Sequence, residues 1–181
     1  MEETKGIALS TREQQTLSDI RQIIEDGRKS AYGAINSAMV RTYWNVGRRI
    51  VEEEQNGTNR AEYGKHLLEV LSLELSKIYG KGFTARNLRN FRQFYTMFPD
   101  YEEIWHARVP NLTWTHFRSL INVPDREARI WYMNEASTEM WSSRTLDRNI
   151  SSQYYYRLLQ SPNKEPVEKE MKKLTQGLLS D

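Results

Sequence analysis

Between Arg12 and Glu54, apolar side chains recur at Leu17, Ile20, Ile24, Ala31, Ile35, Ala38, Val46 and Ile50, and Thr42 falls on the same stripe. Steps of three, four and seven keep such positions on one side of an α-helix and would scatter them over both faces of a strand. The pattern predicts one very long helix or two nearly collinear ones. At 1.5 Å per residue, forty residues of helix would span about 60 Å, more than one small core can cover. A helix of that length needs a partner, so residues 1–56 are expected to form an arm that joins two copies into a homodimer. The alternative is two ordinary helices packed on the same domain. Gly27 and Gly33 mark a place for a kink, since glycine costs about 1 kcal/mol relative to alanine inside a helix.

Gln55-Asn56-Gly57-Thr58-Asn59 carries turn chemistry and ends this pattern. Helical spacing resumes from about Arg60 to Tyr79, with Leu67, Leu68, Leu71, Leu75 and Ile78 on the side to be buried. Gly80 and Gly82 supply the positive-φ options that end a helix and reverse the chain. Thr84 is then a good N-cap. On the helix it opens, Leu88, Phe91, Tyr95 and Phe98 share one face, while Arg86, Arg89, Asn90 and Gln93 share the other. Pro99 closes this helix, Tyr101–His106 reads as a short helical turn, and Arg108–Leu112 as extended connection. Thr113 caps a short helix carrying Phe117, Leu120 and Ile121. Pro124 takes the first position of the next helix, which runs to about Met140 and buries Ala128, Trp131, Tyr132, Ala136 and Met140.

The stretch Trp141-Ser142-Ser143-Arg144-Thr145-Leu146 then repeats Phe83-Thr84-Ala85-Arg86-Asn87-Leu88, shifted by 58 residues. Both read aromatic, hydroxyl cap, small residue, Arg, polar residue, Leu. In the second copy Arg144 and Arg148 lie on the polar face. Each capped helix is preceded by another helix, so residues 57–160 are expected to form a domain of two helix–turn–helix-like units. After the Ser161–Pro166 break, the charged tail reads as a linker or a fraying helix covering 161–181.

Charge sharpens this picture through its distribution. The chain of 181 residues has a net charge of only +2. Residues 52–74 hold six acids against two bases, whereas Lys81, Arg86, Arg89 and Arg92 occupy 81–98 with no acid among them. A local basic segment attracts phosphate even on a near-neutral chain. Lys81, Arg86, Arg89, Asn90, Arg92, Gln93, Arg144 and Arg148 are therefore the candidate nucleic-acid contacts, with Lys81 and Arg92 as flanking phosphate contacts. A solvated helix also shows such a face, so a protein-interaction or oligomerisation module without nucleic-acid binding is the rival reading.

Composition removes other chemistry. The chain has no cysteine, which excludes disulfides, thiolate metal sites and cysteine nucleophiles. Its 5 Trp, 10 Tyr and 5 Phe can close a core with few residues. No apolar run approaches the length of a membrane span, and the N-terminus lacks a secretory pattern, so a cytoplasmic protein is expected. Phosphate loops, nucleophile elbows and HExxH are missing. His116 reads as a cap or core-edge residue. Glu170-Met171-Lys172 matches half of a metal-dependent nuclease site, but such sites converge carboxylates from adjacent strands and this segment is helix-prone. No metal or cofactor is expected, and no catalysis from this chain.

Several ordered blocks resemble the N-terminal domain of the bacterial YhcG-type proteins. They are Tyr43–Ile50, Ala61–Gly64, Gly82–Leu88, Arg92–Tyr95, Leu112–His116 and Trp141–Leu146, spread over roughly residues 15–160. The resemblance implies a helical, DNA-binding domain that normally precedes a PD-(D/E)xK nuclease domain. It carries over no catalytic residue. The sequence given stops where the nuclease domain would begin, so the expectation is an all-α DNA-binding and targeting module of a nuclease, without catalysis of its own.

Overall fold

The computed structural model describes residues 10–55, 60–100, 109 and 111–177, the side chains of 60–62 and 174–177 excepted. The expected turn at 56–59, the helical turn at 101–106 and Pro110 of the extended connection lie outside the described residues. Among those described, the protein is all-α, as its periodicity predicts. The helices are α1 (Thr11–Gln55), α2 (Arg60–Tyr79), α3 (Ala85–Met97), α4 (Trp114–Leu120), α5 (Arg126–Thr138), α6 (Ser143–Ser151), α7 (Tyr154–Gln160) and α8 (Glu165–Gly177), with one 3-10 turn at Lys81–Phe83.

The long apolar stripe forms one helix of 45 residues, helical through Gly27 and Gly33. A reciprocal cap starts it. Ser10 Oγ accepts from the Glu13 N–H at 3.4 Å, and Glu13 Oε2 accepts from the Ser10 N–H at 2.8 Å. Contacts divide the chain into two units, Met1–Ile35 and Asn36–Asp181, so the division falls within α1. In the first unit, residues 11–35 bury no side chain, and Leu17, Ile20, Ile23, Ile24, Tyr32 and Ile35 are all exposed. Neighbours one turn apart support this stretch: Gln15 donates to Asp19, Gln22 donates to Asp26, and Arg28 pairs with Glu25.

The second unit holds the core. Ile50 of α1, Leu68 of α2, and Leu88 and Phe91 of α3 form one apolar cluster. The larger cluster gathers Val40 and Trp44 of α1, Phe94 and Phe98, Phe117 and Leu120 of α4, Tyr132 and Met133 of α5, Leu146, Tyr154 and Met171. Trp114 packs against both clusters. The Trp44 indole N–H donates to the Phe98 carbonyl at 2.7 Å, which ties α1 to the end of α3. Gly47 allows the two helices to meet: a Cβ there would stand 1.9 Å from the Phe91 carbonyl oxygen.

Several expectations shift in detail. Phe94, fully buried, joins Leu88, Phe91 and Phe98 inside, while Tyr95 is half-buried at the edge of Trp44. Ile78 is 70% exposed, because the last turn of α2 runs past the cluster that holds Leu68. Gly80 has φ of 80°, as its place after α2 predicts, but Gly82 does not need the left-handed region and sits inside the 3-10 turn. Asp125, not Pro124, opens α5: it is the N-cap, accepting from the N–H groups of Glu127 and Ala128, and the proline precedes it. At the other end, Met140 is not buried but 72% exposed, with φ of 53°. It occupies the left-handed position that ends the helix, and the next N–H, of Trp141, reaches back to the Ala136 carbonyl at 2.9 Å. The tail beyond Pro162 forms α8, which places Met171 in the core.

Arg129 of α5, which has the composition of a surface residue, is only 4% exposed. Its guanidinium donates to the carbonyls of Val123 at 2.7 Å, Pro124 at 3.2 Å and Met97 at 3.1 Å, and lies over the Phe98 ring at 5.3 Å. Those carbonyls sit where α3 ends and where the turn before α5 runs, so one cation joins two segments of the chain.

Candidate nucleic-acid interface

Helix α3 is set by its cap and by its buried face. The Thr84 hydroxyl accepts from the Asn87 N–H, and the Asn87 side chain donates back to the Gly82 carbonyl at 3.0 Å, which fixes the turn to the helix. With Leu88, Phe91 and Phe94 inside, Arg86 and Arg89 are held on the opposite, exposed side. Lys81 is exposed in the preceding 3-10 turn. None of these three cations has an ion-pair or side-chain hydrogen-bond partner among the described residues, and α3 contains no acid. Asn90, next to them, is half-buried.

The rest of the candidate set is engaged elsewhere. Arg92 pairs with Glu54 of α1 at 2.8 Å, and Glu54 is the more enclosed partner. Gln93 donates its amide to the Ile121 carbonyl at 2.8 Å. In the second copy of the pattern, Ser142 caps α6 by accepting from the Thr145 N–H at 3.1 Å. Arg144 is exposed in the first turn. Arg148 turns inward and donates to Asn149 Oδ1 at 3.1 Å and to the Met171 carbonyl of α8 at 3.4 Å. The structure thus keeps Lys81, Arg86, Arg89 and Arg144 open to solvent, and commits Arg92, Gln93 and Arg148 to the protein. One cation went unnoticed in the sequence. Arg118 is exposed on α4, the short helix that packs against both α3 and α6. Its signal was the basic residue among the polar positions of that helix, which were read only for their apolar partners.

Nearby polar chemistry is structural. His116 Nδ1 accepts from the Thr113 N–H at 3.1 Å, which leaves the proton on Nε2 to be donated to the Trp141 carbonyl at 3.0 Å. Burial holds this imidazole below its ordinary pKa, against the smaller opposing effects of the Trp141 carbonyl and the Asp147 charge. It is a neutral cap that joins α4 to the start of α6. Among the described residues, no three His, Asp or Glu side chains are grouped closely enough to hold a metal ion. Glu170 and Lys172 of the ExK tripeptide lie on α8, where Glu170 pairs with Arg157. Among the described residues, no helix is long and apolar enough to cross a membrane.

What this arrangement offers is a set of open cations on a rigid helical scaffold, the chemistry that phosphate oxygens match. The profile of the DUF1016 N-terminal domain matches residues 19–157, a stretch that takes in most of α1, all of α2 to α6 and the start of α7. The chain is also similar to the Escherichia coli (strain K12) protein called "Putative nuclease YhcG", with 33% identity over 182 aligned positions. That alignment covers 85% of this chain and 48% of the relative, so the chain spans about half the length of the protein it matches. No solved structure matches it. On the match to residues 19–157, the chain belongs to the DUF1016 N-terminal domain family.

Proposed function

We propose that this chain is a DNA-binding and targeting module that works with a nuclease domain and performs no catalysis itself. The observation that carries the reading is the acid-free α3, which leaves Lys81, Arg86 and Arg89 exposed with no partner among the described residues. Arg92, by contrast, is neutralised by Glu54. Open cations on a capped, rigid helix suit the phosphate backbone, and Asn90 beside them suits a base edge. Arg144 and Arg118 extend the contact. The relative named as a nuclease supplies the context in which such a module acts, and DNA as partner goes with a cytoplasmic location in a bacterium.

Fluorescence anisotropy with a labelled duplex, at two salt concentrations, tests this. Binding is expected to weaken as salt rises, and each phosphate-contacting Arg removed should lower the salt slope by about 1. Replacing Arg86 and Arg89 together by Ala should weaken binding to every duplex tried. Failure to bind at low salt, or unchanged binding by the double variant, overturns the reading.

A second role accompanies it, favoured by the exposed Leu17, Ile20, Ile24 and Ile35 of the first unit. In this reading two copies pair through that helix. Light scattering should find a dimer for the parent and a monomer after Ile20→Glu plus Ile24→Glu, with DNA affinity per chain reduced but present. If the parent is a monomer, the pairing is wrong while the DNA reading stands. If the dimer forms and no DNA binds, the helical module serves protein interaction alone.

A further inference from the structure

Helices α5 to α8 surround a cleft of about 290 Å³ that shares no residue with the basic set. Its walls are aromatic. Trp131, Trp141 and Tyr154 line it, with ring centroids 5.4 to 6.5 Å apart. Three carboxylates, Glu135, Glu139 and Glu168, border the same space. Burial, and then the charges of Glu139 and Glu168, hold the Glu135 carboxyl above its ordinary pKa, against a smaller opposing effect of Lys172. Lys164 and Lys172 also reach the rim and leave the lining acidic by one charge.

A second feature, independent of the acids, points to a ligand. Asn149 lines the cleft, is fully buried, and its Nδ2 has no hydrogen-bond partner among the described residues. Its Oδ1 is already taken by Arg148, so the side chain presents an unused donor. A buried amide N–H left unpaired costs about 1–3 kcal/mol, which an incoming acceptor would recover. No three acids of the described residues are close enough to share a metal ion.

We propose that this cleft binds an organic cation that also carries a carbonyl acceptor, the chemistry of an arginine or lysine side chain beside its own peptide carbonyl. The ammonium or guanidinium meets Glu139 and Glu168 and lies against the Trp131 and Trp141 rings, and the carbonyl accepts from Asn149. The acidic lining disfavours a nucleic-acid phosphate here, and the site does not depend on the DNA-binding reading. A free small molecule or a basic segment of a partner protein both supply this chemistry.

The test is isothermal titration of the full chain with the tripeptide acetyl-Gly-Arg-Gly-amide, and with arginine amide and citrulline amide, both N-acetylated so that the second has nearly the same shape as the first without the charge. Arginine amide should bind saturably and quench the tryptophan fluorescence, and citrulline amide should not. Glu139→Gln plus Glu168→Gln should weaken binding about tenfold or more, while Arg86→Ala plus Arg89→Ala leaves it unchanged. Tighter binding of the tripeptide identifies a protein segment as the source, and equal or tighter binding of arginine amide identifies a free small molecule. The proposal is overturned if arginine amide shows no saturable binding, if citrulline amide binds as well, or if the doubly neutralised variant melts and binds like the parent. Should that variant fail to fold, the comparison of arginine with citrulline amide on the parent decides.

Discussion

Thr84 and Ser142 cap α3 and α6 in the same way, each hydroxyl accepting from the N–H three residues on. Beyond the cap the two helices part. In α3 the buried set is Leu88, Phe91 and Phe94, and the polar side faces solvent with Arg86 and Arg89 open. In α6 the buried set is Thr145, Leu146 and Asn149, and Arg148 is drawn inward to the Met171 carbonyl of α8. A cap depends on two or three consecutive residues, so a six-residue pattern reproduces it. The fate of a polar residue depends on what returns to meet it, and for Arg148 that is Met171 of α8, 23 residues further along the chain. The arginine of the motif, Arg86 or Arg144, is open in both copies, and the difference lies one turn on, where Arg89 stays in solvent and Arg148 is engaged by the protein.

The largest expected effect attacks the seat of α3, which has no counterpart under α6. Gly47→Ala would push a methyl group into the Phe91 carbonyl, where the gap is 1.9 Å. Such overpacking against backbone should cost about 3 kcal/mol and lower Tm by roughly 6–12 °C. Thermal melting by circular dichroism reads this, and a Tm within a degree of the parent would show that α3 is not held there.

A crossed pair of substitutions comes next. Arg148→Ala strips a donor from Asn149 Oδ1 and from the Met171 carbonyl, and should destabilise by about 1–3 kcal/mol with no change in duplex affinity. Arg89→Ala should leave stability within about 0.5 kcal/mol and weaken the duplex complex. Denaturant melts and anisotropy on both variants give four numbers, and the opposite assignment of the two effects would reverse the roles given to α3 and α6.

The smallest effect is a pH dependence at the join between α4 and the entry to α6. His116 has a folded pKa below its unfolded value of 6.5, so the unfolded chain binds the extra proton first. The stability contributed by the neutral ring is complete above 6.5 and is lost as pH falls from there through the folded pKa. Acid should therefore loosen the join between α4 and Trp141, ahead of α6, before it affects α3. Tm measured at about pH 7.5 and about pH 5 should fall with acid in the parent and fall less in His116→Gln. Equal falls would assign the sensitivity to other groups.

Much of this architecture is legible in the sequence because its signals are local. The caps at Thr84 and Ser142, the positive φ of Gly80, the long stripe of α1 and the capping role of His116 at Thr113 each follow from residues within a turn of one another. Apolar spacing also locates Leu88, Phe91, Phe117 and Leu120 in the core. Distant partners leave no such mark. Arg92 meets Glu54 across 38 residues, and Gln93 meets Ile121 across 28, so neither the basic run that marks Arg92 nor the wheel that places Gln93 beside Arg89 carries any trace of these partners. Met140 was counted as buried because it continues the α5 spacing, yet the left-handed residue that stops a helix turns away from that spacing. Asn149, the orphaned donor of the acidic cleft, reads as one polar residue among many until α6 is folded beneath α5 and α8.

Arg129 gives the second unit a checkpoint during folding. Its charge is solvated by carbonyls from the end of α3 and from the turn before α5, and by the face of Phe98, so no single segment can satisfy it. A half-assembled chain must either keep that side chain in water, with the surrounding apolar pocket open, or bury it unpaired at severe cost. Both options empty the intermediate states between unfolded and native. One buried cation therefore couples the arrival of α3 to that of α5, and the two halves of the core should form and melt as a single cooperative event.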